Sequence, residues 1–234
     1  MDAGNLIKYG NWFILNGVVL VVAYLLGSIP TGYAIALWFY GIDIRAEGSG
    51  STGATNVLRT CGKLPAIMVL AVDILKGVAA IAMVFWVYSL NETRQIATMA
   101  GIDSPQVLAY SIATLSGLIA VFGHTMSIWI GFKGGKSVAT SLGILFALNW
   151  LLALATLIVF GVVLAVSRIV SLSSIAGAIT IAALMIITGQ PLPYQIFAIA
   201  AGTYVIWRHR SNIERILQGT EPRIGQKLSA DPTP

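Results

Sequence analysis

Four short segments hold most of the residues in this chain that can do chemistry. The first runs Glu47-Gly48-Ser49-Gly50-Ser51-Thr52-Gly53-Ala54-Thr55-Asn56-Val57-Leu58-Arg59. Small residues let backbone N–H groups approach a phosphate, hydroxyls add donors, and an arginine can grip two phosphate oxygens at once. By composition this is an anion cradle. A flexible Gly/Ser linker looks similar over six residues, but Asn56 and Arg59 at i, i+3 are more than slack chain needs. No Gly-Lys-Ser/Thr closes the segment, which disfavours nucleotide hydrolysis of the P-loop kind.

The second segment is Phe122-Gly123-His124 followed by Gly131-Phe132-Lys133-Gly134-Gly135-Lys136-Ser137-Val138-Ala139-Thr140. Gly134 and Gly135 precede a helix start, where free N–H groups and the helix dipole favour an anion. Lys133 and Lys136 add charge there, although lysines at a helix end also serve as topology anchors. The third, Ser167-Arg168-Ile169-Val170-Ser171-Leu172-Ser173-Ser174, puts four hydroxyls before or within a helix start, where capping is the alternative use. The fourth, Arg208-His209-Arg210-Ser211-Asn212-Ile213-Glu214-Arg215, also reads as an interfacial basic helix.

The elements that must carry these segments are membrane spans. Of 234 residues, 57% are hydrophobic and 10% charged, and the mean hydropathy is +0.84. A soluble domain carries about a quarter charged residues. A span takes about 20 apolar residues, so seven use roughly 140 and leave no room for a separate soluble domain. The whole chain, 1–234, is therefore one all-α, polytopic membrane domain. Spans are expected near 17–40, 64–89, 107–123, 138–149, 151–166, 175–188 and 194–207. The apolar run of 138–166 has only Asn149-Trp150 as a break; two helices there put Lys136 and Arg168 on the same side. The first span is too long for a signal-peptide core and is read as retained. It contains Gly27-Ser28-Ile29-Pro30-Thr31-Gly32, where a kink or break is expected.

Charge sets the orientation. With the N-terminus outside, Arg45, Arg59, Lys63, Lys133, Lys136, Arg168, Arg208, Arg210, Arg215, Arg223 and Lys227 fall inside, against Lys8 and Arg94 outside. The C-terminus is then cytoplasmic. Lys76 lies within the second span beside Asp73 at i, i+3, where the two either orient a helix or serve a site. The net charge of +5 is mostly the inside bias and gives little support for nucleic-acid binding; anionic headgroups of the lipid bilayer are the simpler partner. One cysteine, Cys61, excludes an intramolecular disulfide, and His124 and His209 sit in no metal-binding cluster, so no metal is expected.

Together the segments resemble the bacterial membrane-bound glycerol-3-phosphate acyltransferases that use acyl phosphate as donor, the PlsY family. The resemblance rests on Gly48-Ser49-Gly50 with Gly53-Ala54-Thr55-Asn56 and Arg59. It continues in Gly123-His124 with Phe132-Lys133-Gly134-Gly135-Lys136 and Val138-Ala139-Thr140, then in Ser171-Leu172-Ser173-Ser174 and His209 with Asn212. The family usually has Asn at Ser51, Phe-Pro at Met126-Ser127 and Gly at Ser137.

The resemblance implies transfer of a fatty acyl group from acyl phosphate to the 1-hydroxyl of sn-glycerol 3-phosphate, without cofactor, in the bacterial inner membrane. It also implies a functional link to a soluble acyltransferase that makes acyl phosphate. Carried over residue by residue, Ser49, Arg59, Lys136 and His209 are the catalytic set, and Gly50, Asn56, Lys133, Gly134, Gly135, Ser171, Ser174 and Asn212 bind substrate. Arg59 and Lys136 would neutralise phosphate, Ser49 and Ser174 donate hydroxyls, and Gly134 and Gly135 offer N–H groups. The proton of the attacking hydroxyl goes to a histidine or to the donor's phosphate. The phosphate is favoured, since no carboxylate is well placed in the sequence to orient either histidine. A transporter of organic phosphates is the rival reading, motivated by the broken first span and the Asp73–Lys76 pair. A membrane subunit that docks a soluble partner is a weaker one.

Overall fold

Apolar runs become helices here, and the polar interruptions become their ends. The computed structural model describes residues 3–101 and 105–226, with side chains from Tyr9 onward; Lys227 and the side chain of Lys8, both used above for orientation, lie outside them. The helices are α1 (Ala3–Ser28), α2 (Thr31–Tyr40), α3 (Ala54–Thr60), α4 (Lys63–Ser89), α5 (Asn91–Met99) and α6 (Pro105–Thr125). After them come α7 (Val138–Leu148), α8 (Trp150–Ser167), α9 (Val170–Ile187), α10 (Leu192–Arg208) and α11 (Arg210–Leu217). No strand occurs among the described residues.

Five segments are long and apolar enough to cross a membrane: Tyr9–Tyr40, Lys63–Ser89, Pro105–Ile130, Trp150–Ser167 and Val170–Ile187. The other two expected spans coincide with shorter helices. The 17 residues of α10 rise about 25 Å and the 11 of α7 about 16 Å at 1.5 Å per residue, against a hydrocarbon core of about 30 Å. The chain before α7 is loop rather than helix, because Gly131, Phe132 and Ser137 all take positive φ.

The break at Asn149 is real. Asn149 leaves the helix at φ −156°, ψ 98°, and its side chain accepts from Leu152 N–H to cap α8. Its amide donates to Gln190 between α9 and α10 at 3.0 Å. At the other end of these helices, Ile224 N–H bonds the Arg168 carbonyl and Arg208 bonds the Gly135 carbonyl. The starts of α7 and α9 and the ends of α8 and α10 therefore gather at one end of the bundle. The expected hydroxyl cap of α9 does not form: its N-cap is Ile169, while Ser173 and Ser174 donate to carbonyls of Ile169 and Val170.

The first span is interrupted at Ile29-Pro30, as the proline requires. The buried Lys76 ammonium donates to the Ile29 carbonyl at 2.9 Å and pairs with Asp73 at 2.9 Å, while Thr31 donates to the same Asp73 oxygen. The pair thus satisfies backbone that the break leaves open. Between α4 and α7 the backbones touch: a Cβ on Gly77 would collide with the Thr140 carbonyl, and one on Gly143 with that of Ile74. Around this seam Ala80, Ile81, Val84, Ile144, Met185 and Phe197 form the fully buried core.

Candidate active site

A cavity of about 720 Å³ opens at the bundle end where the loops gather. Its mouth is polar, with Ser49, Arg59, Lys136, Ser171, His209 and Asn212 on the wall. Its bore is apolar, with Leu70, Leu142, Phe146, Phe160, Ile181 and Phe197 among the lining side chains. Such a space suits a molecule with an anionic head and a hydrocarbon tail.

The first loop is folded around Asn56. Its side chain is 2% exposed; the amide nitrogen donates to the carbonyls of Ile44, Glu47 and Ser51, and the oxygen accepts from Ser49 N–H at 3.0 Å. The side-chain polar atoms of Asn56 are committed to holding Ser49 at the mouth, while the residue itself lies on the cavity wall. Gly50, expected as a ligand, is an exposed left-handed turn residue away from the cavity wall. Arg59 projects from α3 onto the wall and reaches the Pro222 carbonyl at 3.4 Å.

The second loop departs from expectation in the same way. The N–H groups of Gly134 and Gly135 are spent on the carbonyls of Thr125 and His124. A side chain on Gly135 would strike the His124 ring, so these glycines are needed for close approach. Lys133 is exposed and off the cavity wall. The α7 ladder begins with Ser141 N–H to the Ser137 carbonyl, which leaves the preceding N–H groups of Val138 and Ala139 open at the helix start. Two departures from the family pattern have local roles. Ser127 donates to the Ser28 carbonyl at 2.6 Å, and Ser51 Oγ accepts from Gly53 N–H at 3.4 Å.

Lys136 bonds Asn212 Oδ1; Asn212 Nδ2 donates to Glu221 at 2.6 Å, and Ser171 Oγ donates to the same carboxylate oxygen at 2.7 Å. Arg215 Nε takes the second oxygen at 2.7 Å. Glu221 is 7% exposed and was not among the residues singled out from the sequence, because it lies in a short tail without apolar pattern. Its signal is its position: it is the first carboxylate after the fourth basic segment. Burial raises its pKa, but the Ser171, Asn212 and Arg215 bonds outweigh that and hold it below the usual carboxylate value. Burial pushes Lys136 down to about 8; the charge of Glu221 opposes the shift, and Arg215, Arg208 and Arg59 add to it.

His209 is buried between α10 and α11. Its Nδ1 lies 2.7 Å from the Val205 carbonyl, which can only accept, so Nδ1 carries the proton and Nε2 does not. Burial lowers its pKa to about 4, the Val205 bond opposing and Lys136 adding to the shift. No carboxylate orients it. The nearest polar partner of the His124 ring is Thr140 at 3.3 Å, with Asp73 at 3.8 Å. Ser174 lines the cavity but donates to its own helix.

Residues 17–219 match the family described as glycerol-3-phosphate acyltransferase. A glycerol-3-phosphate acyltransferase of Trichodesmium erythraeum (strain IMS101) is 62% identical over 94% of this chain and 97% of its own. One of Trichormus variabilis is 57% identical over 95% and 97%. The integral membrane glycerol 3-phosphate acyltransferase PlsY, crystallised in a glycerol 3-phosphate form, superposes with a TM-score of 0.77 at 38% identity, covering 90% of this chain and 96% of its own. Its lysophosphatidic acid form gives 0.75.

Proposed function

This chain belongs to the PlsY family of glycerol-3-phosphate acyltransferases, integral membrane enzymes, and on that premise we propose that it moves a fatty acyl group from acyl phosphate to the 1-hydroxyl of sn-glycerol 3-phosphate. The observation that carries this reading is the cavity whose mouth is basic and hydroxylic and whose bore is apolar. The hydroxyl oxygen attacks the acyl carbon, and the carbon–oxygen bond to phosphate breaks. Phosphate leaves with the electron pair and takes the hydroxyl proton, giving 1-acylglycerol 3-phosphate and inorganic phosphate. Lys136 and Arg59 offset the charge on the carbonyl oxygen and on the departing phosphate. An acyl phosphate is already activated, so no enzyme nucleophile is needed.

The mouth faces the cytoplasm in this reading, with seven crossings, the N-terminus outside and the membrane the bacterial inner membrane. Support comes from the eleven-to-two bias of basic residues and from the gathering of Ser49, Lys136, Ser171 and His209 at one bundle end. The donor implies a soluble acyltransferase that makes acyl phosphate upstream.

Purified protein in detergent, given acyl phosphate and labelled glycerol 3-phosphate, should yield labelled 1-acylglycerol 3-phosphate. Equal rates with an acyl thioester as sole donor would overturn the donor assignment. His209→Ala should slow transfer by less than about a thousandfold, because the donor's phosphate takes the proton. A larger loss confined to the chemical step would make His209 the base.

The length of the bore can be tested at one position. Gly177 on α9 lines it opposite Thr156 on α8, and a Cβ there would meet Thr156 Cγ2 at an ordinary 3.5 Å. The Cβ is thus accommodated, and a Gly177→Leu side chain should extend into the bore. The optimum in a series of acyl phosphates should move to shorter chains. Each methylene excluded should lower kcat/KM about fourfold, from about 0.8 kcal/mol per buried CH₂.

A further inference from the structure

Ser137 is held in a conformation that serine disfavours, and its hydroxyl receives nothing from the protein in return. It is the N-cap of α7 at φ 56°, ψ 14°, the left-handed region that glycine occupies with less strain. It is 1% exposed, its side chain makes no capping bond, and Oγ has no hydrogen-bond partner. A buried hydroxyl without a partner is destabilising, so the residue combines two unfavourable features.

Its surroundings are donors. Ser137 lies on the cavity wall between Lys136 and the open N–H groups of Val138 and Ala139. One turn on, Ser141 also lines the cavity with an unpartnered buried hydroxyl. Arg208 Nε is buried and unpartnered as well, while its NH2 nitrogen is fixed on the Gly135 carbonyl at 3.1 Å. The start of α7 adds the positive end of the helix dipole. Donors and positive charge that converge in this way suit an oxyanion.

We propose that the Ser137 hydroxyl is a phosphate ligand, donating to a phosphate oxygen seated on the start of α7 beside Lys136. This rests on the reading above that the substrates carry phosphate. Glycerol 3-phosphate and acyl phosphate both offer that group. The hydroxyl takes over the part that the N–H groups of Gly134 and Gly135, already bonded, cannot play. The bond to phosphate offsets the strain at φ 56°, which the glycine usual in the family avoids.

Ser137→Gly separates binding from folding, since glycine relieves the strain. Its melting temperature in detergent should equal or exceed that of the parent chain. The loss of a bond to a charged group should raise KM about tenfold or more with kcat little changed. Varying each substrate in turn identifies the source, because KM rises for the one whose phosphate Ser137 holds. Ser137→Ala keeps the strained backbone and should lose the same factor. Unchanged KM for both substrates, within twofold, in a folded Ser137→Gly protein would overturn the assignment. If the parent chain forms no acylated product, the acyl-transfer reading fails, and calorimetry with inorganic phosphate decides for Ser137. Tenfold weaker binding by Ser137→Gly supports it, and equal binding overturns it.

Discussion

Lys136→Ala should lower kcat/KM about a thousandfold while the purified protein melts close to the parent temperature. The ammonium is half-buried at the cavity mouth and is bonded to the neutral Asn212 rather than to a carboxylate. Its charge is thus free to meet an anion. Removing one group that stabilises developing charge in a partly dry site costs about 10²–10³ in rate, and ground-state binding of phosphate adds to that. The pH profile carries the same signature. With Lys136 pushed down to about 8, the cation is present below that pH and lost above it. kcat/KM, which reports the free enzyme, should therefore fall as pH rises through about 8. Lys136→Arg should move that basic limb out of range, since a guanidinium stays charged. A limb unchanged in Lys136→Arg would assign it to another group.

Glu221→Ala should be nearly as severe, by another route. One carboxylate collects Ser171, Asn212 and Arg215, and through Asn212 it orients Lys136. Its loss leaves Arg215 without a counter-charge and two buried donors without an acceptor, at about 1–3 kcal/mol per unsatisfied group. Activity should drop about a hundredfold or more and the melting temperature should fall. Glu221 also raises the pKa of Lys136. Without it the cation is harder to keep, so whatever activity remains should decline from a pH below 8. A merely destabilised enzyme would keep its basic limb in place. Glu221→Gln should not rescue, because its NH₂ would face the donors of Asn212 or Arg215.

The parts legible in the sequence were those with a local cause. Apolar runs gave helices; Pro30 had to interrupt the first, since it lacks the N–H that continues a ladder. Asn149 was readable as a break because the run of 138–166 is too long for one span, and the structure adds the cap to Leu152. The basic and hydroxylic segments were legible as site material because small residues, hydroxyls and cations cluster in them between apolar runs. Lys136, Arg59, Ser49, Ser171, His209 and Asn212 do meet at one mouth.

What the sequence could not decide was which polar atoms remain available once the chain folds. Asn56 and Arg59 stand one turn apart and both line the cavity, yet the side chain of the first is consumed by the loop backbone, whereas the second makes one long bond, to the Pro222 carbonyl. The glycines before α7 looked like N–H donors, but the end of α6 takes both bonds. Lys76 and Asp73 could orient a helix or serve a site, and they close the break at Pro30 from another helix. Glu221 joins Ser171 across 50 positions and Lys136 joins Asn212 across 76. By itself the sequence determined that the chain is helical, where its helices break and which residue types meet an anion. Periodicity and propensity act within a turn or two of the chain. Only the tertiary structure decided which donors stay free and that a distant carboxylate holds the lysine, because those bonds depend on which helix ends come together in space.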